Sequence, residues 1–520
     1  MVTGWRGNMP KSGKGTPSAV NISRKRGFSY NIGVKKILVR RFRSAAALLL
    51  AFFVAFAALA LLAEGLYRLS LFGSARFAEG QGDFELYAMG ESSMEGSPFY
   101  RSPPAIVSLL FSHTLAGRNL RVINLAYGGN SVYPQAIKTI RALKYRNRAA
   151  PAALLIYSGH NENILGYARA ALPQRAYELF KRRVLIHSLL FSEAALRLER
   201  RFLFYGVRDL AHYEHYLRAA IEAALDAGAV PIVSTLASNI SGVEPGEGRL
   251  TPGIERALGL ELAGRYGEAA RQYSRLAEDP ASDAGASSLL PYLEYRLGRC
   301  LQSMGKPAAA KEHLLKALET DPLPFRAKPS QNEVIRGLAE EYGIPLLDAE
   351  KLFAGRSADG LPGSDLFVDH VHPDAGGYML LSGAFAGLLG REFGGKVRRD
   401  LPGPSAMSAL GSGRLSDKST PYLLAGTYVL WFSWSSVPIP DRLALAEKNF
   451  RRALKLPGAN NLAAVGLRVV VLSRKNRNMI PEEVYDWFKG KRFNFEYLQP
   501  LSAEELAAAD KFLRGWESGG

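Results

Sequence analysis

Beyond residue 83 the chain alternates short, mostly apolar runs with longer stretches whose apolar positions recur every three or four residues. Residues 84–89, 122–125, 152–157, 230–236 and 344–347 are the short runs. Their length and composition predict buried strands. Between them, 104–115, 133–145, 213–227 and 332–342 carry helical spacing, and a last helix follows Pro373 through Met379, Leu380 and Phe385. Strand–helix alternation of this kind predicts an α/β fold with a parallel sheet covered on both faces.

Two stretches break the alternation. The first, 253–322, is helical throughout and holds a repeat. Its second copy has Leu297, Gly298, Leu301, Gly305, Ala310, Leu314, Ala317 and Pro322. These offsets resemble the tetratricopeptide repeat, with small residues where two helices touch and a proline that ends the second. The first copy has Ala257, Leu260, Gly264, Ala269, Tyr273, Leu276 and Pro280, the last two one residue off register. The second stretch, after Lys418, has Ala446, Phe450, Ala453 and Pro457 at similar offsets, but its first helix does not fit and an ordinary helical hairpin is the alternative. Two repeats are too few to stand alone, so they must pack on something else. Residues 394–418, rich in Gly, Pro, Ser and Arg, read as a linker, and Trp431, Trp434 and Trp487 beyond it as core. Cys300, the single cysteine, sits in helical spacing with Leu297, Leu301 and Met304, as a small buried hydrophobe would.

Ahead of the alternating region lies an uncharged run, 45–63, rich in Ala, Leu and Phe. At ~1.5 Å per residue it is long enough to cross a ~30 Å hydrocarbon core. Arg40, Arg41 and Arg43 precede it and Glu64 follows. The first 44 residues hold eleven Lys or Arg and no Asp or Glu, so they carry most of the net charge of +18. A basic flank of this kind predicts a signal-anchor with the N-terminus in the cytoplasm and the rest outside, a cleavable signal peptide being the alternative. It does not predict a nucleic-acid-binding arm, because no recognition motif accompanies it. The organisation expected is a disordered basic tail (1–44), the membrane segment (45–63) and a juxtamembrane linker (64–83). An α/β domain in two parts (84–245 and 326–393) is split by the helical insertion (246–325). The linker (394–418) and a C-terminal helical region (419–520) complete the chain.

Four polar or glycine-rich segments punctuate the α/β pattern: Gly90-Glu91-Ser92-Ser93-Met94-Glu95-Gly96, Asn124-Leu125-Ala126-Tyr127-Gly128-Gly129, Gly159-His160-Asn161-Glu162 and Asp369-His370-Val371-His372-Pro373. The first three each end a predicted strand, where parallel sheets bind ligands. Gly128-Gly129-Asn130-Ser131 leads into a helix, whose first N–H groups favour negative charge. Asn161 supplies a carboxamide that can donate to a developing oxyanion. His160 and Glu162 are expected to shape the loop. In the fourth segment the spacing lets Asp369 reach and orient His372, which then takes a proton from a serine hydroxyl. His370 is on the wrong offset and is expected to bond locally. A metal site from Asp369, His370 and His372 lacks a further ligand cluster at metal spacing. No metal and no cofactor is expected.

These four segments resemble the blocks of the SGNH hydrolase (GDSL esterase/lipase) family over residues 84–245 and 326–392. The family's motif serine falls on Ser92, its block-two glycine on Gly129, its block-three asparagine on Asn161 and its Asp-x-x-His on Asp369 and His372. The resemblance implies a three-layer α/β/α flavodoxin-like sheet, a Ser92–His372–Asp369 triad, and an oxyanion hole from the Ser92 and Gly129 backbone N–H groups with the Asn161 side chain. Three positions depart from the pattern: Glu91 for Asp, Ala126 for Gly and Glu162 for Asp. None is expected to transfer a proton or carry charge in the reaction.

The implied activity is cleavage of an acyl ester, short-chain or acetyl, through an acyl-serine intermediate, on a glycan or lipid substrate. Transfer of the acyl group to a surface polysaccharide and an inactive repeat-bearing scaffold are the alternatives. A protein partner is expected through the helical repeats, and the membrane through 45–63. Residues 168–206 have no counterpart in the family pattern. They mix Arg175, Lys181, Arg182, Arg183, Arg197, Arg200 and Arg201 with Leu189, Leu190, Phe191, Phe202 and Phe204. A solvated helix packed on the sheet is one reading, a lid or membrane-surface helix the other.

Overall fold

The computed structural model describes residues 49–69, 83–99, 101–163, 172–202, 209–245, 250–279, 289–322, 325–398, 418–431, 437–486 and 500–519. Six strands form one sheet: β1 (Phe84–Gly90), β2 (Thr114–Leu115), β3 (Arg118–Asn124), β4 (Ala152–Tyr157), β5 (Val230–Ser234) and β6 (Leu346–Leu347). Their order is β2-β3-β1-β4-β5-β6, and every pair is parallel except β2 with β3. With the short β2 set aside, the parallel strands run 2-1-3-4-5 in chain order, the flavodoxin-like arrangement. Its crevice opens at the carboxyl end of β1, where the order reverses.

The central strands are covered on both faces, so β1 and β4 are buried from end to end and their sequences do not alternate. Helices Val132–Lys144, Leu210–Asp226 and Pro329–Tyr342 pack in one layer, and Pro103–Leu110 with Ala375–Phe393 in the other. All five overlap the stretches whose spacing predicts helix; those at Leu210 and Pro329 start three residues early, and one needs a larger correction. The helix expected over 104–115 stops at Leu110. Ser112 and His113 take left-handed backbone angles (φ 52° and 62°), and the His113 N–H donates to the Ser108 carbonyl, which ends the helix. The chain then turns through Ala116 and Gly117 into the β2–β3 hairpin. As a result β3 starts four residues before its apolar run.

The 253–322 stretch folds as two helical hairpins, Pro252–Leu262 with Tyr266–Glu278 and Leu290–Ser303 with Pro307–Thr320. In the second, a Cβ on Gly298 would come within 2.8 Å of the Leu314 side chain and 3.1 Å of the Ala310 carbonyl, so the two helices cross where only hydrogen fits. Cys300 is buried in the apolar cluster that joins its helix to the first hairpin, and burial pushes its thiol well above its ordinary range, up to about 12.

The C-terminal helices Thr420–Trp431, Pro440–Leu454, Asn461–Lys475 and Ala503–Gly519 form their own apolar cluster. That cluster also contains Val243 and Val368, both from the sheet domain. The region is therefore seated on the loop that carries Asp369 and His372. Trp434, Trp487 and the Trp431 side chain lie outside the described residues.

Among the described residues of 168–206 the structure has two α-helices, Leu172–Arg183 and Leu189–Phe202, joined by a 3-10 turn at Leu185–His187. Lys181 is buried and pairs with Glu178 and Glu199 at 2.9 Å each, with the Tyr133 ring 4.3 Å away. Arg141 reaches Glu193 at 2.6 Å. These contacts hold the pair of helices on Val132–Lys144. Leu179, Phe180, Val184 and Leu198 face outward. The side chains of Arg175, Leu189, Arg200, Arg201, Phe202 and Phe204 lie outside the described residues.

A separate unit, Met1–Tyr67, is described from Leu49. The helix Leu49–Leu69 is 21 residues long with mean hydropathy 2.3, long and apolar enough to cross a membrane. It extends past the predicted end at residue 63 and takes in Glu64. Residues 1–48, including the basic tail, lie outside the described residues.

Candidate active site

The site grows from the carboxyl ends of three neighbouring strands. At the end of β1, a Cβ on Gly90 would lie 2.4 Å from the Tyr157 carbonyl and 2.6 Å from Met94 Cβ. Glycine there lets β1 and β4 end side by side and brings Ser92, at the start of the short helix Ser92–Glu95, over the crevice. The loop after β3 closes against it. The Tyr127 N–H donates to the Gly90 carbonyl (3.2 Å) and the Gly128 N–H to Glu95 Oε2 (2.9 Å). A Cβ on Gly128 would stand 3.5 Å from Ser92 Cβ, and Gly129 turns with φ 76°. Gly128 thus lies against Ser92, and Gly129 follows it in the turn that leads to the helix Val132–Lys144.

The segment after β4 completes that side. Asn161 Nδ2 donates to the Asn130 carbonyl at 3.0 Å, which fixes the carboxamide beside the glycine turn. Glu162 accepts from the Val132 N–H at the helix start. His160 is buried and is a shaping residue: its Nδ1 accepts from the Ala327 N–H (3.2 Å) and its Nε2 faces the Tyr157 hydroxyl (3.3 Å). Burial pushes its imidazole down to about 3, so it stays neutral. Glu91 bridges β1 and β4, accepting from the Ser158 hydroxyl (2.6 Å) and the Gly159 N–H (2.7 Å). Burial outweighs those bonds and raises its carboxyl to about 8.

The fourth segment arrives from 280 residues away. Its backbone closes on itself, the Val368 N–H donating to the His372 carbonyl at 3.0 Å. Within that tight loop Asp369 Oδ1 accepts from the Val371 and His372 N–H groups (2.9 and 2.8 Å), and Oδ2 meets His372 Nδ1 at 2.6 Å. His372 Nε2 lies 2.7 Å from Ser92 Oγ. Ser92, His372 and Asp369 therefore form one hydrogen-bonded line. Asp369 is buried, which alone would raise its carboxyl; the charge and hydrogen bonds of His372 reverse this and hold it below the usual carboxylate range. Asp374 caps the next helix, accepting from the Gly377 N–H at 2.8 Å.

His370 points away from this line. It is buried, 6.1 Å from the Phe325 ring, and its Nε2 has no hydrogen-bond partner among the described residues. Burial, helped by Arg442 and Arg326, pushes it down to about 3. The local bond expected of its side chain is thus not seen. Among the described residues no group of three His, Cys, Asp or Glu is arranged to hold a metal ion.

Several supports are absent from the motif reading. Asn239, on the loop after β5, donates from Nδ2 to the Asp369 carbonyl (2.9 Å) and from its N–H to the His370 carbonyl (3.1 Å). Asn449, in the C-terminal region, donates to the Val368 carbonyl at 2.6 Å. Tyr428, also C-terminal, sets its ring 6.1 Å from the His372 ring at an interplanar angle of 32°. A polar residue after an apolar strand marks Asn239 in the sequence; nothing local marks the other two.

No family model and no curated protein matches the chain. Among solved structures, it is similar to a lipolytic protein of the G-D-S-L family from Veillonella parvula (16% identity, 59% of this chain and 96% of that one, TM-score 0.29). It is also similar to a GDSL-like lipase from Bacteroides thetaiotaomicron (10% identity, 62% and 96%, TM-score 0.31). A third is the acetylxylan esterase Axe2 from Geobacillus stearothermophilus (17% identity, 62% and 98%, TM-score 0.27).

Proposed function

We propose that this chain is a serine esterase of the SGNH type, held at a membrane by its N-terminal helix with the site outside the cytoplasm. The observation that carries the activity is the continuous Ser92–His372–Asp369 line, with contacts of 2.7 and 2.6 Å, in the crevice of a flavodoxin-like sheet.

Ser92 Oγ attacks the ester carbonyl while His372 Nε2 takes its proton. Asp369 holds the Nδ1–H tautomer and balances the imidazolium that forms. The negative oxygen of the tetrahedral intermediate is met by the Ser92 and Gly129 N–H groups and the Asn161 carboxamide. His372 then returns the proton to the departing alcohol, leaving an acyl group on Ser92. Water, activated by the same imidazole, releases the acid. The membrane placement is supported by the helix Leu49–Leu69 and by the arginines before it.

The test is hydrolysis of 4-nitrophenyl acetate and labelling by a fluorophosphonate, comparing the full chain in detergent with its Ser92→Ala form. Both signals should be present in the first and absent in the second. Equal hydrolysis in the two would remove Ser92 from the mechanism.

A further inference from the structure

We infer that Tyr428 borders the site of the departing alcohol and makes the C-terminal helical region a determinant of substrate choice; this rests on the serine-esterase reading. In acyl transfer through a serine, the imidazole that deprotonates the serine also protonates the departing oxygen, so the alcohol must lie against that imidazole. In this protein the described aromatic ring beside the His372 ring is that of Tyr428, with centroids 6.1 Å apart and planes at 32°. Tyr428 belongs to the C-terminal helix Thr420–Trp431, not to the sheet domain.

Burial along that helix singles the residue out. From Pro421 to Leu430 every position is buried except Tyr428, which is half-buried. The helix is an apolar element packed into its own cluster, and between Pro421 and Leu430 the side chain it leaves partly open is the one beside the imidazole. The helix is also fixed to the catalytic loop. Tyr422 packs edge-on against Phe99 at 5.5 Å, and Phe99 against Tyr378 at 6.1 Å. Asn449 of the next helix holds the Val368 carbonyl, one residue before Asp369. The ring is thereby kept in place relative to His372.

An aromatic face at this position suits an alcohol that presents a flat or ring-shaped apolar face, whether an aryl group or one side of a pyranose. A small acyclic alcohol gains little from it. The residue is therefore a specificity determinant for the alcohol portion.

The experiment compares three acetate esters, ethyl acetate, 4-nitrophenyl acetate and an O-acetylated methyl pyranoside, on the full chain and on Tyr428→Phe and Tyr428→Leu. Tyr428→Leu should raise KM for the two ring-bearing esters by about tenfold, with kcat nearly unchanged and ethyl acetate unaffected. Tyr428→Phe, which keeps the ring and guards against failure to fold, should behave as the parent. Equal effects on all three esters, or none on any, would overturn the inference while leaving the esterase reading intact. No hydrolysis and no fluorophosphonate labelling in the parent would instead overturn both.

Discussion

Among the places where this molecule buries charge, two do so for opposite ends. One is the loop proposed to be catalytic, where Asp369 and His372 meet at 2.6 Å. The other is the junction of the helical insertion, the loop after β5 and the C-terminal region. There Arg296 reaches Glu244 (3.3 Å), Asp441 (2.8 Å) and Glu261, and Arg299 reaches Asp441 at 3.0 Å. In the first, a single carboxylate faces a group that gains and loses a proton and touches the crevice. In the second, Arg296 is surrounded by three carboxylates with the Tyr295 ring 5.8 Å away, and none of these groups belongs to the Ser92–His372–Asp369 line. The first arrangement stores reactivity; the second fixes three segments far apart in the chain to one another.

The contrast can be broken from either side. Asp369→Asn keeps the shape of the loop but offers His372 the wrong tautomer, so kcat should fall by about 10⁴-fold with little change in melting temperature. A fall of both in step would make the loop structural rather than catalytic. Arg296→Met should do the reverse. It takes from buried Glu261 the cation it pairs with and leaves Glu244 and Asp441 only Arg442 and Arg299, so it should cost about 3–5 kcal/mol in denaturant unfolding, while folded protein keeps its kcat. An unchanged unfolding curve would mean the network is dispensable.

Glu91 sharpens the comparison, being a buried carboxyl with no cation beside it. Its ordinary value of 4.5 is raised to about 8, so the folded state favours the protonated acid. The stability this provides is full below about pH 4.5 and is lost as pH rises through about 8. Glu91→Gln should therefore flatten the fall in melting temperature between pH 5 and 8, measured by calorimetry at fixed ionic strength. A parallel, unflattened fall would assign the pH dependence elsewhere.

The strand–helix alternation was legible because the central strands are buried on both faces and read as apolar runs. The four site segments were legible because polar and glycine residues cluster where those runs stop. What was not legible came from distance along the chain. Asn239 acts across 130 residues, Asn449 across 81, and the Ala327–His160 bond across 167. No local pattern encodes such pairings. The β2 strand, two residues long and entered through left-handed Ser112 and His113, is too short to show a period. The half-buried tyrosine of the helix Thr420–Trp431 looked like any aromatic in a buried helix.

The separation of Ser92 from His372 has a consequence for how the protein is made. At roughly 5–20 residues per second, the nucleophile emerges from the ribosome about 14–56 s before its base, since 280 residues lie between them. Throughout that interval the nascent chain presents an ordinary, unactivated serine. Under the proposed function, acyl chemistry can begin only after His372 has been made and the last parallel strand laid down, so a product truncated before residue 369 should be inert.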